Sequence, residues 1–115
     1  MNLQSVLQLS RTLKEVHFKH DEVIFREGEP AKFIFLIKDG EIETTKRIFD
    51  KFSRLMVPER CGKYYRGMLI GDKEVLAGGG SRTFTAVCLT DCTVLPIAPE
   101  KYKQLYNNTG NNSHL

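Results

Sequence analysis

The chain has little of what marks several protein classes. No apolar run in its 115 residues approaches the roughly 20 needed to span a bilayer, so no membrane insertion is expected. Met1-Asn2-Leu3-Gln4-Ser5 has neither a basic start nor an apolar block, and does not read as a secretory signal. Net charge is only +3, with Lys and Arg scattered from Arg11 to Lys103. No basic stripe argues for nucleic acid as a partner of this domain alone. Cysteine is sparse: Cys61, Cys88 and Cys92 make an odd count without a CxxC pair. Free thiols in a reducing, cytoplasmic compartment are the expectation, with Cys88 and Cys92 flanking a turn. No nucleophile–base pairing and no carboxylate pair stands out, so the chain reads as a binding module and not as an enzyme. His17 and His20 lie two residues apart and His114 sits in the tail. No second ligand cluster accompanies them, so neither a metal site nor a cofactor is expected.

What is present fits one globular domain with one modest core, at 41% hydrophobic and 27% charged residues. Residues 2–12 carry Leu3, Val6 and Leu7 at helical spacing, with Leu13 just beyond. From Lys14 the period becomes two, with Val16 and Phe18 alternating against Glu15, His17 and Lys19. Val23 and Phe25 repeat the pattern, and Glu27-Gly28-Glu29-Pro30 makes a turn. Phe33 to Ile37 is apolar on both faces and reads as a buried strand. Asp39-Gly40 between β-rich runs predicts a hairpin returning over Ile42–Ile48. Phe49 to Tyr65 reads as a long connection, with a possible strand through Leu55-Met56-Val57. Met68–Ile70 is a short strand, and Thr83–Leu89 with Thr93–Ile97 is expected to form a strand pair. Pro99 opens a helix whose apolar side holds Tyr102, Leu105 and Tyr106. Residues 1–106 are thus one domain, and residues 107–115 a disordered Asn-rich tail. Seven or eight short strands with a helix at each end predict a mainly β barrel or jelly roll.

The stretch that carries most information runs Leu69-Ile70-Gly71-Asp72-Lys73-Glu74-Val75-Leu76-Ala77-Gly78-Gly79-Gly80-Ser81-Arg82-Thr83-Phe84-Thr85-Ala86-Val87. A strand ends in a glycine, an acidic helix-capable segment follows, and three glycines lead to an arginine and a β-branched strand. This layout suits an anion held between helix-start amides and a guanidinium, with a carboxylate reaching a hydroxyl. A small phosphorylated sugar uses all three devices. For Asp72 a second role is open, that of helix N-cap. Glu74 reads as a solvated helix residue. Gly78–Gly80 reads as a loop that stays floppy until a ligand orders it.

Together with His17–Gly28, Phe33–Ile42 and Leu89–Tyr106, this stretch resembles the cyclic nucleotide-binding domain family. That family is found in cyclic-nucleotide-dependent kinases, gated channels and catabolite-activator-type regulators. The resemblance covers about Leu3 to Tyr106. It implies a β-roll of jelly-roll type, a double-stranded β-helix of about eight antiparallel strands with flanking helices, in which cAMP or cGMP is the ligand. It places the phosphate-binding arginine at Arg82, the cassette glycine at Gly71 and the ribose-binding acid at Asp72. Lys73 and Glu74 fall in the same cassette turn, and Thr83 stands where its amide meets the phosphate. A threonine there points towards cGMP. The sequence departs from the family in Asp72, which replaces a longer Glu, and in a cassette about one residue longer. Gly78–Ser81 replaces a stiffer stretch ending in Pro. The family's lid helix does not follow residue 106, so either more of the protein or another chain supplies it. Regulation of an effector domain or subunit outside this chain is implied. The alternative is a degenerate member that no longer binds ligand and serves protein–protein interaction. A cupin-like metal enzyme is the third, least supported, reading of a jelly roll.

Overall fold

The computed structural model describes Gln8 and residues 11–104. Helical residues at 8, 11 and 12 agree with the start of the chain as read from its spacing, and the rest of that predicted helix lies outside the described residues. The predicted tail also lies outside them. Eight strands form two antiparallel four-stranded sheets. They are β1 (Val16–Phe18), β2 (Val23–Phe25), β3 (Ile34–Asp39), β4 (Ile42–Asp50), β5 (Leu55–Tyr64), β6 (Leu69–Ile70), β7 (Thr85–Cys88) and β8 (Cys92–Ile97). One sheet has the order β1-β8-β3-β6 and the other β2-β7-β4-β5. The short helix α1 (Asp72–Leu76) follows β6, and residues 99–104 are helical after β8. This is the mainly β roll that the strand spacing predicts. No described helix is long and apolar enough to cross a membrane.

Successive strands mostly alternate between the sheets, and this corrects three expectations. The Asp39-Gly40 turn is not a hairpin. β3 pairs with β6 and β8, whereas β4 pairs with β5 and β7. The turn carries the chain from one sheet to the other. Gly40 has φ +99°, and a Cβ on it would lie 2.6 Å from both the Asp91 carbonyl oxygen and Cys92 Sγ. The glycine therefore serves a crossing packed against the Asp91–Cys92 turn, a contact that local sequence does not reveal. Nor do β7 and β8 pair with each other, for the same reason: they lie in opposite sheets. Strand β7 also starts two residues later than expected, leaving Thr83 and Phe84 at the site.

The third correction concerns residues 49–65. In place of a long connection, β4 runs on to Asp50 and β5 spans ten residues beside it. The strand expected through Leu55-Met56-Val57 is the start of β5, and Pro58 hid its continuation, because it lacks an amide hydrogen for a ladder. Strand β5 is the last of its sheet, so its outer side needs no donor. A bulge between Thr44 and Thr45 absorbs one residue of β5.

The core forms two clusters, one built on the β1-β8-β3-β6 sheet with α1 and the flanking segments, the other shared by the two sheets. Ala31, Ile34, Leu36, Val75, Leu95 and Ile97 form one, with Leu13, Leu69 and Tyr102 packed against it. Phe25, Ile37, Ile42, Ile70, Ala86 and Val94, with Cys88 and Cys92, form the other. Val75 is the single buried residue of α1. It pins the helix to the roll and fixes the direction in which the helix start points.

Candidate ligand site

Helix α1 begins directly after an inner strand. Gly71, at φ +76° and ψ +20°, is its N-cap, and no side chain caps the helix. Asp72 therefore stands in the first turn and is not the cap, which corrects one of its two expected roles. The first-turn amides keep their donors turned outward from the helix. The left-handed backbone at Gly71 suits glycine. A Cβ there would also collide with Arg82 Nη1.

Arg82 lies under this turn and is buried, with 4% of its surface exposed. Nη1 donates to the Gly71 carbonyl at 2.7 Å, and Nη2 donates to the Phe33 carbonyl at 2.5 Å. The guanidinium carbon sits 4.1 Å from the centroid of the Phe25 ring. Nε is buried and has no hydrogen-bond partner among the described residues. Burial pushes the Arg82 pKa below its ordinary value, against the opposing pull of Glu74 and Glu29. The group stays charged, since arginine starts far above neutrality. A buried cation of this kind demands compensation.

Glu74 supplies it. One carboxylate oxygen accepts from the Thr83 amide at 3.1 Å and from the Thr83 hydroxyl at 2.7 Å. The other lies 3.7 Å from Arg82 Nη1. The Glu74 side chain is only 11% exposed, so the expectation of a solvated helix residue is corrected. Burial pushes its pKa up, but the Thr83 hydroxyl, backbone amides and the Arg82 charge outweigh this and hold it below the ordinary carboxyl value. The cause lies in tertiary geometry: the loop after α1 returns Thr83 to the helix turn that bears Glu74.

That return loop is tied down. Gly78 and Gly79 amides donate back to Val75 and Glu74 carbonyls at 3.2 and 3.0 Å. The Gly80 carbonyl accepts from the Ala31 amide at 2.8 Å, and Ser81 bridges to Pro30. Arg82 exchanges backbone hydrogen bonds with Gly28 and Glu29 at 2.8 and 2.7 Å. The expected floppy loop is a backbone-anchored one.

A shallow cleft, open to solvent, lies in front of α1. Gly71, Asp72, Lys73 and Glu74 line one side of it. Phe25, Thr44, Tyr64, Ile70 and Phe84 supply the remainder. The structure thus gathers all six predicted site residues at one place: four line the cleft, and Arg82 and Thr83 sit on Glu74 behind it. Sequence reasoning missed the aromatic lining. Phe84, Thr44 and Tyr64 carried no motif of their own, and only the register of β4 against β5 brings the last two here. His17 and His20 are engaged elsewhere. His17 Nδ1 lies 3.0 Å from the Thr93 hydroxyl, and His20 Nε2 lies 3.3 Å from Asp21. Among the described residues no three His, Cys, Asp or Glu side chains gather as a metal site.

The molecule is thus a two-sheet β-roll with a short helix laid over a buried arginine. The family model described as the cyclic nucleotide-binding domain matches residues 15–109, and the chain belongs to that family. No curated protein matches it. Among solved structures, the chain is similar to the c-di-GMP responsive global regulator CLP of Xanthomonas campestris. The TM-score is 0.78 at 14% identity, over 98% of this chain and 52% of that one. It is similar to the catabolite activator protein of Thermus thermophilus, with TM-score 0.75 at 18% identity, over 96% of this chain and 49% of that one. An EAL enzyme solved in a cAMP-bound form matches 76% of this chain and 22% of its own, with TM-score 0.64 at 16% identity. The chain spans about half the length of the two regulators. At these identities the likeness is one of fold.

Proposed function

We propose that this domain binds cAMP or cGMP in the cleft before α1 and acts as the regulatory module of a larger signalling protein. The observation that carries the reading is Glu74 seated on Arg82 and Thr83. The protein's own carboxylate satisfies one hydroxyl donor, one amide donor and a buried guanidinium, which are the partners an anionic phosphate seeks. In this reading the cyclic phosphate takes the place of Glu74, and receives Thr83, Arg82 and the first-turn amides after Gly71. Asp72, at the cleft wall, accepts from the ribose 2′-hydroxyl. Lys73, exposed beside it, adds positive potential at the cleft mouth. The base lies against the aromatic wall of Phe84 and Tyr64. The EAL neighbour solved with cAMP, and in another form with cGMP, supports a small cyclic nucleotide as the ligand class.

The same displacement supplies a route for the signal. Val75 of α1 and Tyr102 of the last described helical segment belong to one apolar cluster. A turn of α1 that follows Glu74 outward shifts Val75, and with it the seat of Tyr102. Coupling of this kind requires an effector, here one outside this chain in the same cytoplasmic protein, that distinguishes the two positions. Titration calorimetry tests the binding step. Saturable heats with cAMP or cGMP are expected for the wild type. Arg82→Ala, checked for folding by thermal melt, should bind on the order of a hundredfold more weakly or not at all. Unchanged affinity in that variant removes Arg82 from the site. Absence of binding by the wild type at millimolar ligand favours a degenerate member of the family.

A further inference from the structure

Among the described residues, the most exposed large apolar side chains lie at the far end of the β4–β5 hairpin. Phe52, at its tip, is 99% exposed, Leu55 64% and Phe49 58%. Met56 and Ile48 are exposed as well. None of these belongs to either core cluster. Apolar exposure gathered at one end in this way marks an interaction site.

The register shows what kind of surface it meets. Residues opposite each other in an antiparallel pair point to the same face. Phe49 opposes Met56, and Ile48 opposes Val57 one step along. These two pairs therefore face opposite sides of the hairpin, with Phe52 beyond both. A partner protein docking on one face would leave the other apolar face in water. A medium that surrounds the tip covers both.

The charge around the tip narrows the medium. Lys51 and Arg54 flank Phe52 in the turn, and Lys46 and Arg47 stand just below. Of these, Arg47, Lys51 and Arg54 have no carboxylate at ion-pair distance among the described residues. The nearby Asp50 carboxylate is spent on the turn itself, accepting from the Phe52 and Ser53 amides at 3.2 and 3.3 Å. Its backbone carbonyl accepts from the Arg54 amide at 2.8 Å. Arg54 holds φ +59° to close that turn. The tip is thus a fixed projection, so little ordering entropy opposes its docking.

We propose that the β4–β5 tip docks on an anionic lipid surface, with Phe52, Phe49 and Met56 in the interface and Lys51 and Arg54 at the phosphate level. From Ile48 to the tip the hairpin rises about 10 Å at roughly 3.3 Å per residue, a depth suited to the headgroup and acyl boundary. Basic residues beside an apolar anchor are the combination that gives reversible attachment to anionic leaflets. Such docking is shallow, and is distinct from the spanning segment that the sequence lacks.

Co-sedimentation of the 115-residue chain with vesicles tests this. Binding is expected to phosphatidylcholine vesicles carrying about 30 mol% phosphatidylserine, with release at high salt and none to phosphatidylcholine alone. Phe52→Ser should weaken partition, and Lys51→Glu with Arg54→Glu should weaken it about tenfold or more. All three positions are solvent-facing, so the folded core is untouched, and an unchanged thermal melt confirms it. No sedimentation with the anionic vesicles, equal binding to the neutral ones, or full binding by both variants overturns the proposal. So does a concentration-dependent dimer that Phe52→Ser dissociates, since that assigns the tip to a second copy.

Discussion

At the scale of single residues, the account turns on Glu74. If its carboxylate competes with the ligand phosphate for Thr83 and Arg82, Glu74→Gln should tighten cyclic nucleotide binding at neutral pH, by about tenfold. If Glu74 instead holds the ribose, the same variant should bind more weakly, and calorimetry separates the two. The substitution also leaves Arg82 less compensated, so a loss of stability of about 2 kcal/mol is expected in chemical denaturation. The pH dependence has a definite sign. Glu74 titrates below its ordinary 4.5 in the fold, so its contribution to stability is present above that value and is lost as pH falls through the depressed one. In the proposed reading, displacement by ligand returns the carboxyl to solvent and its pKa to the ordinary 4.5, so binding takes up a proton between that value and the depressed one. Affinity should therefore rise as pH falls through 4.5, and Glu74→Gln should abolish that rise. None of this could be read from the sequence, where Glu74 was one acid on a short helix. Its partner Thr83 lies nine residues on, and a turn of glycines had to close before the two met. Arg82 and Gly71 were singled out through the resemblance of their strand–glycine–helix–arginine order to the family's cassette. Their mutual contact was not, and Gly71→Ala should show it. A Cβ in that left-handed position meets the guanidinium, and a loss of more than about 1 kcal/mol is expected on unfolding.

At the scale of elements, the strands were largely legible and their pairing was not. Alternation in Val16–Phe18 and Val23–Phe25 reports burial of one face, which is a local property. Partnership is decided across the molecule, and Asp39-Gly40 illustrates the difference. The dipeptide signals a tight reversal, and a reversal occurs, but it passes between sheets because Ile37 and Ile42 both point into one cluster. Gly40→Ala tests that packing. With a backbone oxygen and a thiol each 2.6 Å from the new Cβ, the two turns must separate, and destabilisation of about 3 kcal/mol or more is expected. An ordinary hairpin glycine would lose about 1 kcal/mol. Of strand β5 only the start, Leu55-Met56-Val57, was legible; beyond it charged residues and Pro58 break the pattern. Both are what an edge strand tolerates.

At the scale of the whole molecule, two sheets close over a core that buries Cys88 and Cys92 while Cys61 stays exposed. A thiol reagent at neutral pH should modify Cys61 promptly and the other two only on unfolding. Burial, with Cys92 beside it, pushes the Cys88 thiol from 9.0 up to about 12. The protonated fold is therefore favoured below pH 9, and that share of stability is lost as pH rises through about 12. The jelly-roll class was legible because many short strands of alternating pattern have few ways to bury one face. The site was legible in outline because the cassette is contiguous in sequence. Its aromatic wall was not, being assembled from β2, β5 and the residue just before β7. The claim that binds these scales together is that Arg82 and Thr83 are the phosphate donors, yielded by Glu74. The most direct test follows the Arg82 Nε–H and the Gly71, Asp72 and Thr83 amides by nuclear magnetic resonance while cAMP or cGMP is added. Saturable shifts at these four, with movement of the Glu74 carboxyl carbon, are expected. Saturable shifts that leave Arg82 Nε–H and Thr83 untouched, or none at millimolar ligand, would contradict the account.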